Sequence, residues 1–146
     1  MISPYTAKAK PQLVEIFKTL IPKHFDPSEL DTFLSYLNQN HKTYSVIKDD
    51  DDKIVGGVGY HFNAKDKSAQ ITWIFLDQEA SGKGLGKEAV NFCMDIFKEH
   101  PIAIKSIVTT SQRAYKFFEK FGFRTIEKEK NHWGKGLHLY LMETEF

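Results

Sequence analysis

The sequence predicts an α/β chain, a central mixed β-sheet flanked by helices on both faces. Three observations carry this. Apolar residues switch between helical and strand spacing in the order βααβββαβαββ. A strand–loop–helix–strand unit in the middle is a crossover, which makes two strands parallel. The strands around it come in pairs joined by short polar turns, which makes those antiparallel.

Each element has its own signal. Met1 to Tyr5 predicts a short first strand. Leu13, Ile16, Phe17 and Leu20 fall at helical spacing, with Pro11 near the start, where its missing N–H costs little. Asp26-Pro27-Ser28-Glu29 reads as a capping box opening a second helix with the stripe Leu30, Phe33, Leu34 and Leu37. Thr43 to Ile47 and Ile54 to Phe62 predict a hairpin across the polar turn Asp49 to Lys53. The four aspartates there lack the central Gly and bidentate Glu of a calcium loop, so a solvated turn is expected. Gly56, Gly57 and Gly59 within a strand point to a bulge or a close backbone approach.

Ala69 to Leu76 predicts a central strand, with Ile71, Trp73 and Phe75 on one face and Gln70, Thr72, Ile74 and Leu76 on the other. Leu85, Ala89, Phe92, Cys93, Ile96 and Phe97 mark a helix that ends near His100-Pro101. Ile104 to Thr109 is a strand. Ala114, Phe117, Phe118 and Phe121 mark a short helix stopped by Gly122. Phe123 to Lys128 and Leu137 to Glu145 form the last pair, with a turn around Trp133 to Gly136.

Composition bounds the function. Of 146 residues, 41% are hydrophobic and 14% aromatic, so one domain over 1–146 has material for a sizeable core. The net charge of +1 lacks the basic excess of a nucleic-acid binder. No apolar run reaches membrane-spanning length and no secretory leader is visible, which predicts a cytoplasmic protein without a membrane partner. Cys93 is the only cysteine and reads as a buried structural thiol.

The chemistry concentrates in Ser81-Gly82-Lys83-Gly84-Leu85-Gly86-Lys87, between a buried strand and an amphipathic helix. A helix N-terminus carries free N–H groups and about half a positive charge. Glycines let those N–H groups approach a phosphate, and Lys83 and Lys87 add charge. The third glycine comes one residue early for a dinucleotide fingerprint. Gly86-Lys87 is followed by Glu88 rather than Ser or Thr, so the loop is no Walker A.

Glu79-Ala80-Ser81-Gly82-Lys83-Gly84 resembles the Q/R-x-x-G-x-G/A motif of the GNAT acetyltransferases at the same strand-to-helix junction, with Glu79 in place of the first Gln or Arg. Ser111 to Phe123 is similar to the family's N-x-x-A-x-x-x-Y-E-K-x-G-F, agreeing at Ala114, Glu119, Lys120, Gly122 and Phe123. The resemblance implies the GNAT acyl-CoA N-acyltransferase fold and acetyl-CoA as co-substrate, with no metal. It implies acetyl transfer to a primary amine of a small molecule or peptide, by direct attack in a ternary complex. By carry-over, Ile74, Phe75 and Leu76 bind the pantetheine arm through their backbone. Gly82, Lys83, Gly84, Leu85, Gly86 and Lys87 bind the pyrophosphate, with Ser111 and Phe117 also at the cofactor.

The proton-transfer groups depart from the family. Phe118 stands where the family has the tyrosine that protonates the leaving thiolate, so Tyr115, one turn earlier, is the expected acid. Gln70 stands near the family's basic Glu, leaving His61 and His138 as candidates. Phe25, Tyr36, Tyr60, Trp73, Trp133 and Tyr140 are candidates for an acceptor pocket. Because Phe118 and Gln70 move no protons, a non-catalytic acyl-CoA-binding or sensing module is the alternative. The sequence leaves the acceptor and a possible homodimer open.

Overall fold

The computed structural model describes residues 1–146. Seven strands form one sheet in the order β1-β2-β3-β4-β5-β7-β6. In chain order the strands are β1 (Ile2–Pro4), β2 (Tyr44–Lys48), β3 (Ile54–Asn63), β4 (Ser68–Leu76), β5 (Lys105–Thr110), β6 (Arg124–Gly134) and β7 (Leu137–Glu145). The helices are α1 (Lys10–Thr19), α2 (Glu29–Asn40), α3 (Leu85–Glu99) and α4 (Tyr115–Glu119). Only β4 and β5 are parallel, joined through α3 as the crossover demands. The expected order and mixed sheet are therefore present. No helix is long and apolar enough to cross a membrane.

Two cores sit on opposite faces. One gathers Ile71, Val90, Cys93, Phe97, Val108 and Met142 under α3. The other gathers Leu13, Phe17, Phe33, Leu37, Tyr44 and Phe75 under α1 and α2. Cys93 is fully buried, and burial pushes its thiol up to about 12.

Local signals are met with two corrections. Glu29 accepts from the Asp26 backbone N–H at 2.8 Å, one half of the expected capping box. The other half is absent, because the Asp26 carboxylate accepts from the Ser28 N–H and hydroxyl instead. The aspartate run is a turn, with Asp49 Oδ1 accepting from the backbone N–H groups of Asp51 and Lys53.

The second correction positions the site. Ile71, Trp73 and Phe75 do not share a face. Gly59 pairs with Thr72 and Gly57 with Phe75, so two steps on β3 match three on β4. The extra residue is a β-bulge, and Trp73 takes φ +43° within it. Ile71 faces the α3 core, whereas Trp73 and Phe75 pack on the α1–α2 side. Gly59 makes room for this, since a Cβ there would press on the Tyr36 hydroxyl and the Tyr44 ring.

Candidate functional site

The bulge ends the pairing of two parallel strands. The β4–β5 ladder stops at Ile71 opposite Val108. β4 continues to Leu76 and β5 to Thr110 without meeting again. The backbone edges of residues 72–76 and 109–110 that face this gap have no strand partner. Buried backbone groups are rarely left that way. The gap is thus a slot for a group able to hydrogen-bond as a strand does.

The slot belongs to a cleft of about 1140 Å³ that runs from the glycine loop to the α1–α2 connection. At one end, Ser81, Gly82, Gly84, Leu85, Gly86 and Lys87 line it. Gly82 and Gly84 both take φ +79°, and Gly84 caps the N-terminus of α3. That conformation suits glycine and stands at the start of α3, where free helix N–H groups make an anion site. Gly86 lies against Phe117, whose ring would be 3.3 Å from any added Cβ. Lys83 is exposed and does not line the cleft.

Along the middle run Ile74, Phe75 and Leu76 of β4, with Ser111 and Phe117 also in the lining. These expected cofactor residues are brought together. Tyr115 is not: its ring stacks on Tyr140 at 4.5 Å between centroids, outside the cleft lining. Phe118 occupies the lining instead and is 2% exposed. The short helix α4 can present only one face to the cleft, and Phe117 and Phe118 take it.

The far end combines segments distant in sequence. Leu20, Lys23, His24 and Phe25 come from the α1–α2 connection, Glu29 from the start of α2, and Trp133 from β6. Trp133 is fixed by its indole N–H, which donates to the Thr110 carbonyl at 3.0 Å. Gln112 ties the same hairpin down, donating to the Gly136 carbonyl and accepting from the His138 N–H. Gly134 abuts the Asp26 carboxylate, which would have to shift to admit a Cβ there.

Of the expected aromatic residues, Phe25, Trp73 and Trp133 line the cleft, whereas Tyr36, Tyr60 and Tyr140 do not. Gln70 lines it, but His61 and His138 do not. His61 projects from an exposed stretch of β3. His138 accepts from the Asn131 N–H through Nδ1.

The structure adds His24, Lys23 and Glu29, which sequence reading missed. His24 is half-buried beside Gln78, with the two Nε2 atoms 3.0 Å apart. Burial first, then the charges of Lys23 and Arg113, hold its imidazole below its ordinary value. Glu29 is buried, and desolvation raises its carboxyl above the usual carboxylate range. Its capping signal was legible, but not its second exposure to a cleft.

The family model described as Acetyltransferase (GNAT) family matches residues 10–123. Solved structures share the fold along the whole chain. Ard1 from Thermoplasma volcanium superposes with a TM-score of 0.81 at 15% identity, covering 99% of this chain and 96% of that one. Ribosomal-protein-alanine N-acetyltransferase from Brucella melitensis gives 0.74 at 16% identity, covering 100% and 99%. An aminoglycoside 6'-N-acetyltransferase complexed with coenzyme A gives 0.76 at 15%, covering 99% and 96%. At these identities the likeness is one of fold. No curated protein matches the chain by sequence.

Proposed function

The chain belongs to the GNAT acetyltransferase family, and on that footing we propose that it transfers the acetyl group of acetyl-CoA to a primary amine. The acceptor is a small molecule or peptide, attacking directly in a ternary complex. The observation that carries this is the β4–β5 gap opening beside the glycine loop at the start of α3.

In this reading the pantetheine arm fills the gap and bonds to backbone groups of Ile74, Phe75 and Leu76. The pyrophosphate lies against the amides from Gly82 to Lys87, with the Lys87 charge nearby. Lys83 adds long-range attraction from the exposed side of the loop. Ser111 and Phe117 flank the arm. The amine nitrogen bonds to the thioester carbon, and the C–S bond breaks. Backbone N–H groups near Phe75 and Leu76 stabilise the oxyanion formed between these events. The amine gives up one proton and the departing thiolate takes one, so the transfer is balanced. His24, kept neutral by burial, is the cleft side chain suited to accept the amine proton. No tyrosine faces the sulfur end, so water protonates the thiolate.

A non-catalytic acyl-CoA-binding module is the second reading, favoured by Phe118 and Gln70 in the cleft. Thermal denaturation with acetyl-CoA, followed by thiol release across a panel of amines, separates the two. Binding raises stability by about 2.7 kcal/mol at a hundredfold excess over Kd. Stabilisation without release from any amine would leave only the binding module. No stabilisation would remove both readings. Buried Cys93 adds little background to thiol detection.

A further inference from the structure

Glu29 is 9% exposed and lines the cleft, yet no Lys, Arg or His forms an ion pair with it. One carboxylate oxygen, Oε2, accepts from the Asp26 N–H. The other has no protein partner and is not sealed from solvent. A buried carboxylate is costly unless something pairs with it. Flat aromatic groups line the same cleft. Phe25 and Trp73 lie 6.2 Å apart between centroids, and both line the same cleft as Trp133. An unpaired carboxylate among aromatic faces is a receptor for an organic cation.

Resting on the acetyl-transfer reading, we propose that this end of the cleft binds a second positive charge on the acceptor, which makes the acceptor a di- or polyamine. One amine reaches the thioester while the other, as an ammonium, docks on Glu29 between the aromatic faces.

Other charged groups act at this end. Asp26 repels the Glu29 charge and His132 favours it. His24 is held towards its neutral form. Lys23 is exposed, so water screens it, whereas Glu29 acts from a drier site. A cation in the cleft would itself favour ionised Glu29.

A capping role alone makes a different prediction. A glutamine oxygen can accept the Asp26 N–H as well as a carboxylate oxygen does, so Glu29→Gln keeps the cap and removes only the charge. The chain's two tryptophans, Trp73 and Trp133, both line the cleft, so their fluorescence reports binding directly.

The test is titration of the CoA-bound protein with diaminopentane, pentylamine and aminopentanoate, which share one amine on a five-carbon chain and end in a cationic, a neutral and an anionic group. Diaminopentane is expected to bind about tenfold or more tighter than pentylamine, with aminopentanoate weakest. Glu29→Gln keeps its melting temperature and CoA affinity, and loses the diamine preference. Phe25→Leu weakens diamine binding about threefold or more. A wild type that does not rank these ligands by charge overturns the proposal, as does Glu29→Gln with the ranking intact. Parallel thiol-release assays keep the two ideas apart. Ranking without acetyl transfer spares this cation site and removes the transferase reading; transfer without ranking does the reverse.

Discussion

The Tyr44 hydroxyl donates to the carbonyl of Trp73 at 2.7 Å, inside the bulge that opens the sheet. Tyr44 is fully buried, and burial raises its phenol well above the ordinary value, so it remains a donor. Tyr36 and Thr72 join hydroxyls at 2.6 Å one residue earlier. Together these bonds hold the backbone where β4 turns away from β5. A residue at φ +43° with a bulky side chain needs such support.

Tyr44→Phe leaves the Trp73 carbonyl without this donor. The expected cost is about 1–3 kcal/mol, seen as a fall in melting temperature. Acetyl-CoA binding should weaken as well, because the slot is shaped by the bulge. An unchanged melting temperature would mean that the bulge holds itself.

Gly84 caps α3 at φ +79°, and nothing lies within 4 Å of where a Cβ would stand. Gly84→Ala therefore acts through the backbone rather than by a clash. About 1–2 kcal/mol of strain is expected. Because the loop can relieve that strain by turning its amides, CoA affinity should fall further than stability. Calorimetric titration with CoA beside thermal denaturation checks the difference.

His24 has its imidazole lowered by burial and by the charges of Lys23 and Arg113, with Gln78 beside it and Glu29 in the same cleft. A lowered value means that the neutral form persists to more acidic pH than for a free histidine, 6.5. As a base it fails only when protonated. The rate should hold through neutral pH and fall as pH drops below that ordinary value. His24→Asn should lower kcat and flatten this acid limb; a pH–rate profile identical to the wild type would exclude His24 as the base.

Tyr115 stacks on Tyr140 outside the cleft, and Lys128 sits over the Tyr140 ring at 5.0 Å. Tyr115→Phe preserves the stack and removes only the hydroxyl. Turnover is expected to stay unchanged. A large fall in kcat with KM constant would restore it as the acid.

The glycine-loop half of the cleft was legible because its signals are local. A glycine at φ +79° and the helix that follows it lie within a few residues, so Gly82 to Lys87 could be read in a line. The α3 stripe was equally plain, since helical period and burial both act within one element. The far half of the cleft was not legible. Glu29 looked like a cap and nothing more, because Trp133, which lines the same cleft, is over a hundred residues away. Tyr115 lies outside the cleft lining, because helical spacing gives a face but not which face meets the cleft.

By itself the sequence determined the element order, the parallel crossover and the glycine loop at a helix start. Periodicity, turn residues and chain connectivity are properties of neighbouring residues, and these suffice for such features. Only the tertiary structure decided the bulge at Trp73, the β4–β5 gap and the cleft that Glu29, Phe25 and Trp133 all line. A strand's period cannot reveal an extra residue that pairing with β3 and the Tyr44 hydroxyl impose. Nor can spacing reveal a cleft whose walls come from both ends of the chain and take shape only when the two cores close on the sheet.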